Sequence, residues 1–268
     1  MSTAPAAAAP AERLVLQQQE AGVATVTLNR PGQFNALSDA LLAELQATLD
    51  RLATDPSVRV VVLAGAGKAF CAGHDLKEMR AKPTFAEQRD LFRRCARVMT
   101  TIGELPQPVV ARVHGIATAA GCQLVATCDL AVAAEEARFA VSGINVGLFC
   151  ATPSVPLGRS MARKQAMEML LTGDFIDAAE ARARGLVNRV VPAAALDAEV
   201  KKLTDSICAK SPVAVAMGKQ VFYRQLELGV DAAYQLAGET MAGNMMAGDA
   251  AEGIDAFVAR RKPTWKGR

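Results

Sequence analysis

The sequence predicts an α/β fold with crossover connections. Two observations carry that expectation: strand-like runs alternate with amphipathic helical patterns over the first part of the chain, and from about residue 160 onward the pattern is almost wholly helical. Alternation in "VATVTLN" (23–29) predicts a strand, and "RPGQ" supplies the turn after it. A helix follows from Ser38, with Leu41, Leu42, Leu45, Leu49 and Leu52 on one face, and Asp55-Pro56 ends it. The next strand is "VRVVVLAG", and a long helix then runs from about Thr84 to Leu105. The prolines of "LPQPVVARVHG" stop that helix and introduce another strand. "TAAGCQLVATC" reads as a buried helix and "DLAVAAE" as a strand. Asp177 with Glu180 makes a capping-box-like helix start, and Gly185 suits its end. One short strand, "LVNRVV", precedes helices near 193–210, 213–226 and 231–246.

Composition narrows the class. The chain has 268 residues, 51% hydrophobic and 21% charged, enough for one large domain with its own core. Its longest apolar runs, "VVVLAGAG" and "ATAAGCQLVATC", fall short of the ~20 residues a membrane span needs. The expectation is a soluble protein that does not engage a membrane. The six cysteines show no C-x-x-C pair, which favours reduced, buried thiols and a cytoplasmic setting. "MSTAPAAAAPAE" lacks a basic segment, so residues 1–12 read as a disordered tail rather than a targeting signal. A net charge of +3 does not call for a nucleic-acid partner.

"VVVLAGAGKAFCAGHDLKEM" (60–79) places a glycine-rich loop between a buried strand and a short helix. It is not a P-loop, because Val62 and Ala69 stand where glycine and a hydroxyl residue belong, and the dinucleotide fingerprint fails at Phe70. The remaining use is a tight turn at Gly73 whose following N–H groups face a developing negative charge. "VHGIATAAGCQL" (113–124) ends a strand and begins a helix in the same way, adding amide donors near Ala119 to Gly121. Two amides from two such loops would make an oxyanion hole. Either loop taken alone is an ordinary strand-to-helix connection.

Together with "TLNRPGQFNALS", "LTGDFIDAAEARARGLVNRVV" and "EGIDAFVARRKPTW", these segments resemble the crotonase superfamily, the enoyl-CoA hydratase/isomerase family. Order and spacing agree from about residue 20 to the end. "GHDLKEM", "AAGCQLVA" and "NVGLFC" are most similar to the enoyl-CoA hydratase domain-containing protein 3 subgroup. The resemblance implies a ClpP-like ββα superhelix, here assigned to 13–200, and a C-terminal helical trimerisation region over 201–268, giving a trimer or hexamer. It implies a coenzyme A thioester as substrate or ligand, with no permanently bound cofactor. The backbone N–H groups of His74 and Ala120 would be the oxyanion donors. CoA contacts would fall on Asn35, Ala36 and Leu37, on His74, Asp75, Leu76 and Lys77, and on Phe257 and Lys262 from a neighbouring subunit.

The chain departs from that family where hydratases carry two glutamates around a water. The first position is Gln123 and the second Gly143. An amide has no useful basicity at neutral pH and glycine has no side chain, so ordinary hydration is expected to be weak or absent. Restoring both glutamates is expected to raise it. Asp75 reads as a helix cap rather than an acid. His114 reads as structural, Cys150 as a small buried hydrophobe, and Glu78, Asn145 and the His74 side chain as lesser candidates. A recruited bicarbonate is an outside alternative to the missing carboxylate. Two non-catalytic readings stand beside the enzyme: a silent acyl-CoA binder, and an RNA-binding homologue using Arg89, Arg93, Arg94 and Arg97. For that stripe a solvated face balanced by Glu87 and Asp90 is the simpler account.

Overall fold

The structure, a computed structural model, describes residues 13–268; the tail expected over 1–12 lies outside the described residues. Strands β1 (Val15–Glu20) and β2 (Val23–Leu28) form an antiparallel hairpin. Helix α1 (Asp39–Ala53) follows, then β3 (Val60–Gly65), β4 (Ala69–Cys71), α2 (Leu76–Ala81) and α3 (Phe85–Glu104). The next turn is β5 (Val109–Val113), β6 (Ile116–Thr118) and α4 (Ala120–Thr127). It leads to β7 (Leu130–Ala134), β8 (Arg138–Ala140), a 3-10 turn (Ser142–Val146), α5 (Ala151–Ser160) and α6 (Arg163–Thr172). Then come β9 (Ile176–Asp177), α7 (Ala178–Ala183) and β10 (Arg189–Val191). Helices α8 (Leu196–Cys208), α9 (Pro212–Gln225), α10 (Val230–Met245) and α11 (Gly248–Val258) finish the chain.

The β1–β2 hairpin opens a six-stranded sheet, ordered β1-β2-β3-β5-β7-β10, and each later strand pair gives one strand to it and one to a four-stranded sheet, ordered β4-β6-β8-β9. All pairings are parallel except β1 with β2 and β8 with β9. This is the ββα spiral that the resemblance implies. The uninterrupted run "VVVL" follows from burial on both faces: Val61 and Leu63 join the main core, while Val60 and Val62 pack with Leu196 and Val200 of α8. Ser38 caps α1 through the Leu41 amide, and the five expected leucines are all buried. Thr84 and Glu87 form a reciprocal capping box at the start of α3. Asp177 caps α7 through the Glu180 amide at 2.8 Å, but Glu180 turns to Arg184, so the reciprocal half of the expected box is absent.

The sequence reading misses β1 and the strands of the small sheet. β1 is an edge strand exposed along most of its length, so no alternation marks it. Strands β4, β6, β8 and β9 have only two or three residues, too few to show a period. No helix among the described residues is long and apolar enough to cross a membrane.

Helix α9 is fastened to the core by a buried ion pair. Lys219 Nζ lies 2.8 Å from Asp129 Oδ2 and donates to the carbonyls of Ile102 and Gln107, while Tyr223 donates to Asp129 Oδ1 at 2.8 Å. The end of the chain is also tied down. The buried Asp249 carboxylate accepts from the Ser211 hydroxyl and from the Lys266 and Gly267 amides, and the Trp265 indole donates to the Ala209 carbonyl.

Candidate active site

The two loops singled out in the sequence meet. A Cβ added to Gly73 would lie 2.8 Å from the Ala119 Cβ and 3.3 Å from the Ala120 nitrogen. Gly73 has φ +92°, and Ala119 is held at φ 51° and ψ −120°, a region costly for a residue with a side chain. Ala119 stays there because its amide donates to the Ala140 carbonyl at 3.0 Å while its own carbonyl accepts from Gln123. Leu37 bridges to His74 as an isolated parallel pair, its amide donating to Gly73 O and its carbonyl accepting from Asp75 N. That pattern leaves the His74 N–H without an acceptor among the described residues, and the Ala120 N–H, first in its helix, also has none. Backbone amides away from solvent are rarely left unpaired, and here two from adjacent loops lack an acceptor, one on a partly buried residue, His74. Ala120 itself is buried.

The side chains nearby are occupied. Asp75 caps α2 through the Lys77 and Glu78 amides and pairs with Arg30 at 3.2 Å, as the cap reading expects. Burial pulls its carboxyl upward, but the Glu78 amide, the Arg30 guanidinium and the Lys77 amide outweigh it and hold the group below its ordinary range. Glu78 accepts from the Asp39 amide at 2.9 Å. His114 Nε2 sits 2.9 Å from Gly67 O, a structural contact, and the Asn145 amide donates to Gly173 O. Burial holds the His74 imidazole near pKa 4, opposed more weakly by the Leu37 backbone and the Asp39 charge. Its ring meets Phe92 edge-on at 5.5 Å, and neither ring nitrogen has a partner or an exposed face.

Asn35 corrects one expectation. Its side chain is fully buried and donates to the carbonyls of Ala66, Ala69 and Phe70, while its Oδ1 accepts from the Arg30 amide. With the backbone also bonded to Arg30 O and the Cys71 thiol, Asn35 has no polar group free for CoA. It shapes the segment that presents Ala36 and Leu37. Leu76 and Lys77 are exposed on α2. Phe257, 86% exposed, and Lys262 lie on the C-terminal arm and do not line the groove described next.

A groove of about 1400 Å³ runs between α3, α4, α5 and α9. Gln123, only 3% exposed, reaches it, and its Oε1 has no hydrogen-bond partner. Met99, Ala126, Val155 and Leu226 give the walls an apolar character, with Arg159 paired to Glu227 at 3.1 Å. Sequence reasoning did not find this groove, because it is built from helices 100 residues apart and from the clasp at Asp129.

Gly143 lies in the 3-10 turn after β8, beside the first loop pair, since Ser142 Oγ is 2.8 Å from Thr118 Oγ1. The place for its side chain is taken. A Cβ there would meet Leu148 O at 2.6 Å and Cys150 Sγ at 2.7 Å. The Cys150 thiol is buried, and burial raises its pKa against a smaller opposing effect of the Gly143 backbone. The arginine stripe of α3 is charge-balanced: Arg89 and Arg93 face Asp90, Arg94 binds Asp39 at 2.7 Å and Arg97 reaches Asp50 at 3.3 Å. Glu87 is used by the Thr84 cap instead.

A ββα spiral with two bare amides at the junction of its second and third turns defines a crotonase-type protein. The family model for enoyl-CoA hydratase/isomerase matches residues 18–268, and the chain belongs to that family. Within it the chain groups with the enoyl-CoA hydratase domain-containing protein 3 subgroup. It is 46% identical to the Xenopus laevis protein of that name over 94% of this chain and 86% of the relative. The human protein's crystal structure matches at TM-score 0.89 and 42% identity, covering 94% of this chain and all of that one. A Mycobacterium smegmatis enoyl-CoA hydratase structure matches at TM-score 0.93 and 60% identity, over 95% and 99%. The Xenopus, mouse and human relatives are named mitochondrial, which overturns the cytoplasmic expectation drawn from cysteine usage. Reduced thiols are not specific to the cytosol, so that inference had no discriminating power.

Proposed function

We propose that the chain binds an acyl-CoA thioester and polarises its carbonyl between the amides of His74 and Ala120, stabilising enolate character without a glutamate pair. The supporting observation is the two acceptor-free N–H groups brought together by Gly73 and Ala119. Preorganised donors of this kind are worth ~10²–10³ in rate each. The neutral Gln123 and the filled slot at Gly143 argue that classical hydration is weak. In this reading Ala36, Leu76 and Lys77 face the CoA moiety with Leu37 buried behind them, and the acyl chain extends toward the groove at Gln123.

The same proposal includes self-association as a trimer or hexamer through the helical region 201–268. Tyr234, Met241, Met246, Phe257 and Val258 are all exposed there, and exposed large apolar side chains gathered in one region suit a subunit contact. Bound acyl-CoA labelled with carbon-13 at the thioester carbonyl tests the central claim. The expected result is a red-shifted carbonyl stretch on binding and little loss of crotonyl-CoA absorbance; an unshifted band, or hydration at ordinary hydratase rates, refutes it.

A further inference from the structure

Helix α2 carries Leu76 and Lys77, two of the residues that face CoA in the proposed function, and polar contacts hold it in place. None of its six residues is buried, and of its apolar side chains Met79 alone packs against the core. Six residues do not make a stable helix by themselves. Beneath α2 lies a cavity of about 10 Å³, bordered by Asp39, Asp75, Glu78 and Lys82, so the helix does not rest on a close-packed base. Its position is set by ties along its length. At the far end Lys82 pairs with Asp39, and the Gln88 amide donates to the carbonyls of Met79 and Lys82 at 2.8 and 2.6 Å. In the middle Glu78 accepts from the Asp39 amide. At the near end the tie is Arg30.

Arg30 leaves a tight turn. Its amide donates to Asn35 Oδ1 at 2.9 Å, its carbonyl accepts from the Gln33 and Asn35 amides, and Pro31 follows it. The guanidinium, 16% exposed, is forked between two segments: Nη1 donates to the Ala36 carbonyl at 2.6 Å and Nη2 to Asp75 Oδ2 at 3.2 Å. The other carboxylate oxygen, Asp75 Oδ1, caps α2 through the Lys77 and Glu78 amides. One side chain therefore spans residues 35–37 and 74–77, which otherwise meet at the isolated Leu37–His74 bridge. We infer that Arg30 is a positioning residue for the CoA moiety, fixing the separation of Ala36 from α2 so that both face the same ligand. The inference rests on the CoA-binding reading above and adds to it the device that sets the shape of the CoA-facing surface. A planar fork reaches two acceptors at once, whereas a lysine ammonium is a single centre on a flexible stem and does not hold both. Arg30 acts through Ala36 and Asp75, not on the thioester.

The full-length protein and its variants are titrated calorimetrically with butyryl-CoA and with free CoA. At saturation the carbonyl stretch of the bound thioester is read by infrared spectroscopy, and turnover is read as deuterium uptake at C2 in heavy water. Arg30→Lys is expected to weaken binding about tenfold or more, equally for butyryl-CoA and free CoA, with the red shift and the turnover at saturation unchanged within about twofold. Asp75→Asn keeps an oxygen for the α2 cap and loses the charge; about a threefold to fivefold weakening is expected, and this variant decides the matter if Arg30→Lys does not fold. Arg189→Lys removes a fork from a remote ion pair, Arg189 with Glu199 at 2.7 Å, and is expected to bind within about twofold of wild type. Equal affinity in wild type, Arg30→Lys and Asp75→Asn overturns the positioning role and leaves the CoA-binding reading standing. So does a loss that appears with butyryl-CoA but not with free CoA, or one matched by Arg189→Lys. Affinity and red shift lost together in a folded Arg30→Lys would show a general disturbance of the site and would also overturn it. Absence of binding or of the shift in wild type overturns the CoA-binding reading itself.

Discussion

Two sides of the same site are built to opposite rules. On one, residues 73–74 and 119–120, the chain accepts a left-handed glycine and a strained alanine in order to bring two acceptor-free amides together. On the other, Gln123 and the 143–150 turn, polar chemistry is neutral or absent and the free volume beside Gly143 is filled by Leu148 O and Cys150 Sγ. In the proposed function, carbonyl polarisation and proton transfer are therefore separable in this fold. The first would be carried by backbone; the second would be carried by side chains and depends on the space left for them.

The largest effect is expected on the first side. Gly73→Ala adds a methyl group 2.8 Å from the Ala119 Cβ at a φ of +92°, which pushes the two amides apart. Loss of ~10²–10³ in turnover, with loss of the infrared shift and with circular dichroism retained, is the expected outcome. Retained turnover would show that the amides are not the working group.

Next comes the filled wall. The sequence alone suggests that Gln123→Glu with Gly143→Glu restores hydration, but the structure predicts a different result. The new side chain at 143 meets a backbone carbonyl that cannot rotate away, so the double variant is expected to lose about 1–3 kcal/mol of stability and gain little activity. Urea denaturation and a crotonyl-CoA assay measure the two parts. A stable double variant with strong hydration would mean that the 143–150 turn moves freely.

The clasp on α9 shapes the groove that meets Gln123. Lys219→Met leaves Asp129 buried without its cation, and a stability loss of about 3 kcal/mol is expected by denaturant unfolding. Tyr223→Phe removes only one hydrogen bond to the same carboxylate, with about 1 kcal/mol expected. Equal losses in the two variants would mean that the ion pair carries no special weight. Asp75→Ala is a smaller perturbation again: about 1 kcal/mol for a lost cap, with turnover nearly unchanged. A 10²-fold fall in turnover would make Asp75 an acid after all.

Much of this molecule was legible from residue pattern. The leucines of α1, the continuous apolar run of β3, the start of α3 at Thr84 and the Asp177 cap are local signals, and the family blocks pointed to the 73–74 and 119–120 loops that the fold brings together. What escaped was non-local or too short. Strand β1 is a polar edge, and β4, β6 and β8 have three residues each. The Asn35 clamp depends on three carbonyls more than 30 residues away. The Asp129–Lys219–Tyr223 clasp joins residues some 90 apart. Gly143 was visible as a missing glutamate, but that its slot is occupied depends on how residues 148–150 fold back.

The smallest effect concerns the His74 ring, whose nitrogens are sealed although its backbone N–H has no acceptor among the described residues. In the folded chain burial holds the imidazole neutral down to about pH 4, whereas in the unfolded chain it takes a proton below its ordinary value near 6.5. The unfolded state therefore binds the extra proton between those two values. This contribution to stability is fully present above about pH 6.5 and declines as pH falls toward 4. His114, lowered chiefly by burial, acts in the same direction, so the wild-type curve alone does not isolate His74. The difference between wild type and His74→Met does, because the substitution keeps the backbone N–H and removes the titration. The difference between the urea midpoints is expected to be constant above about pH 6.5, and the wild-type midpoint to fall relative to that of His74→Met as pH drops from 6.5 to 4. The rate profile of turnover is expected to show no inflection near 6.5 in either protein. An inflection there that disappears in His74→Met would place the imidazole among the proton-transfer groups and would restore to this side of the site the chemistry that its wall lacks.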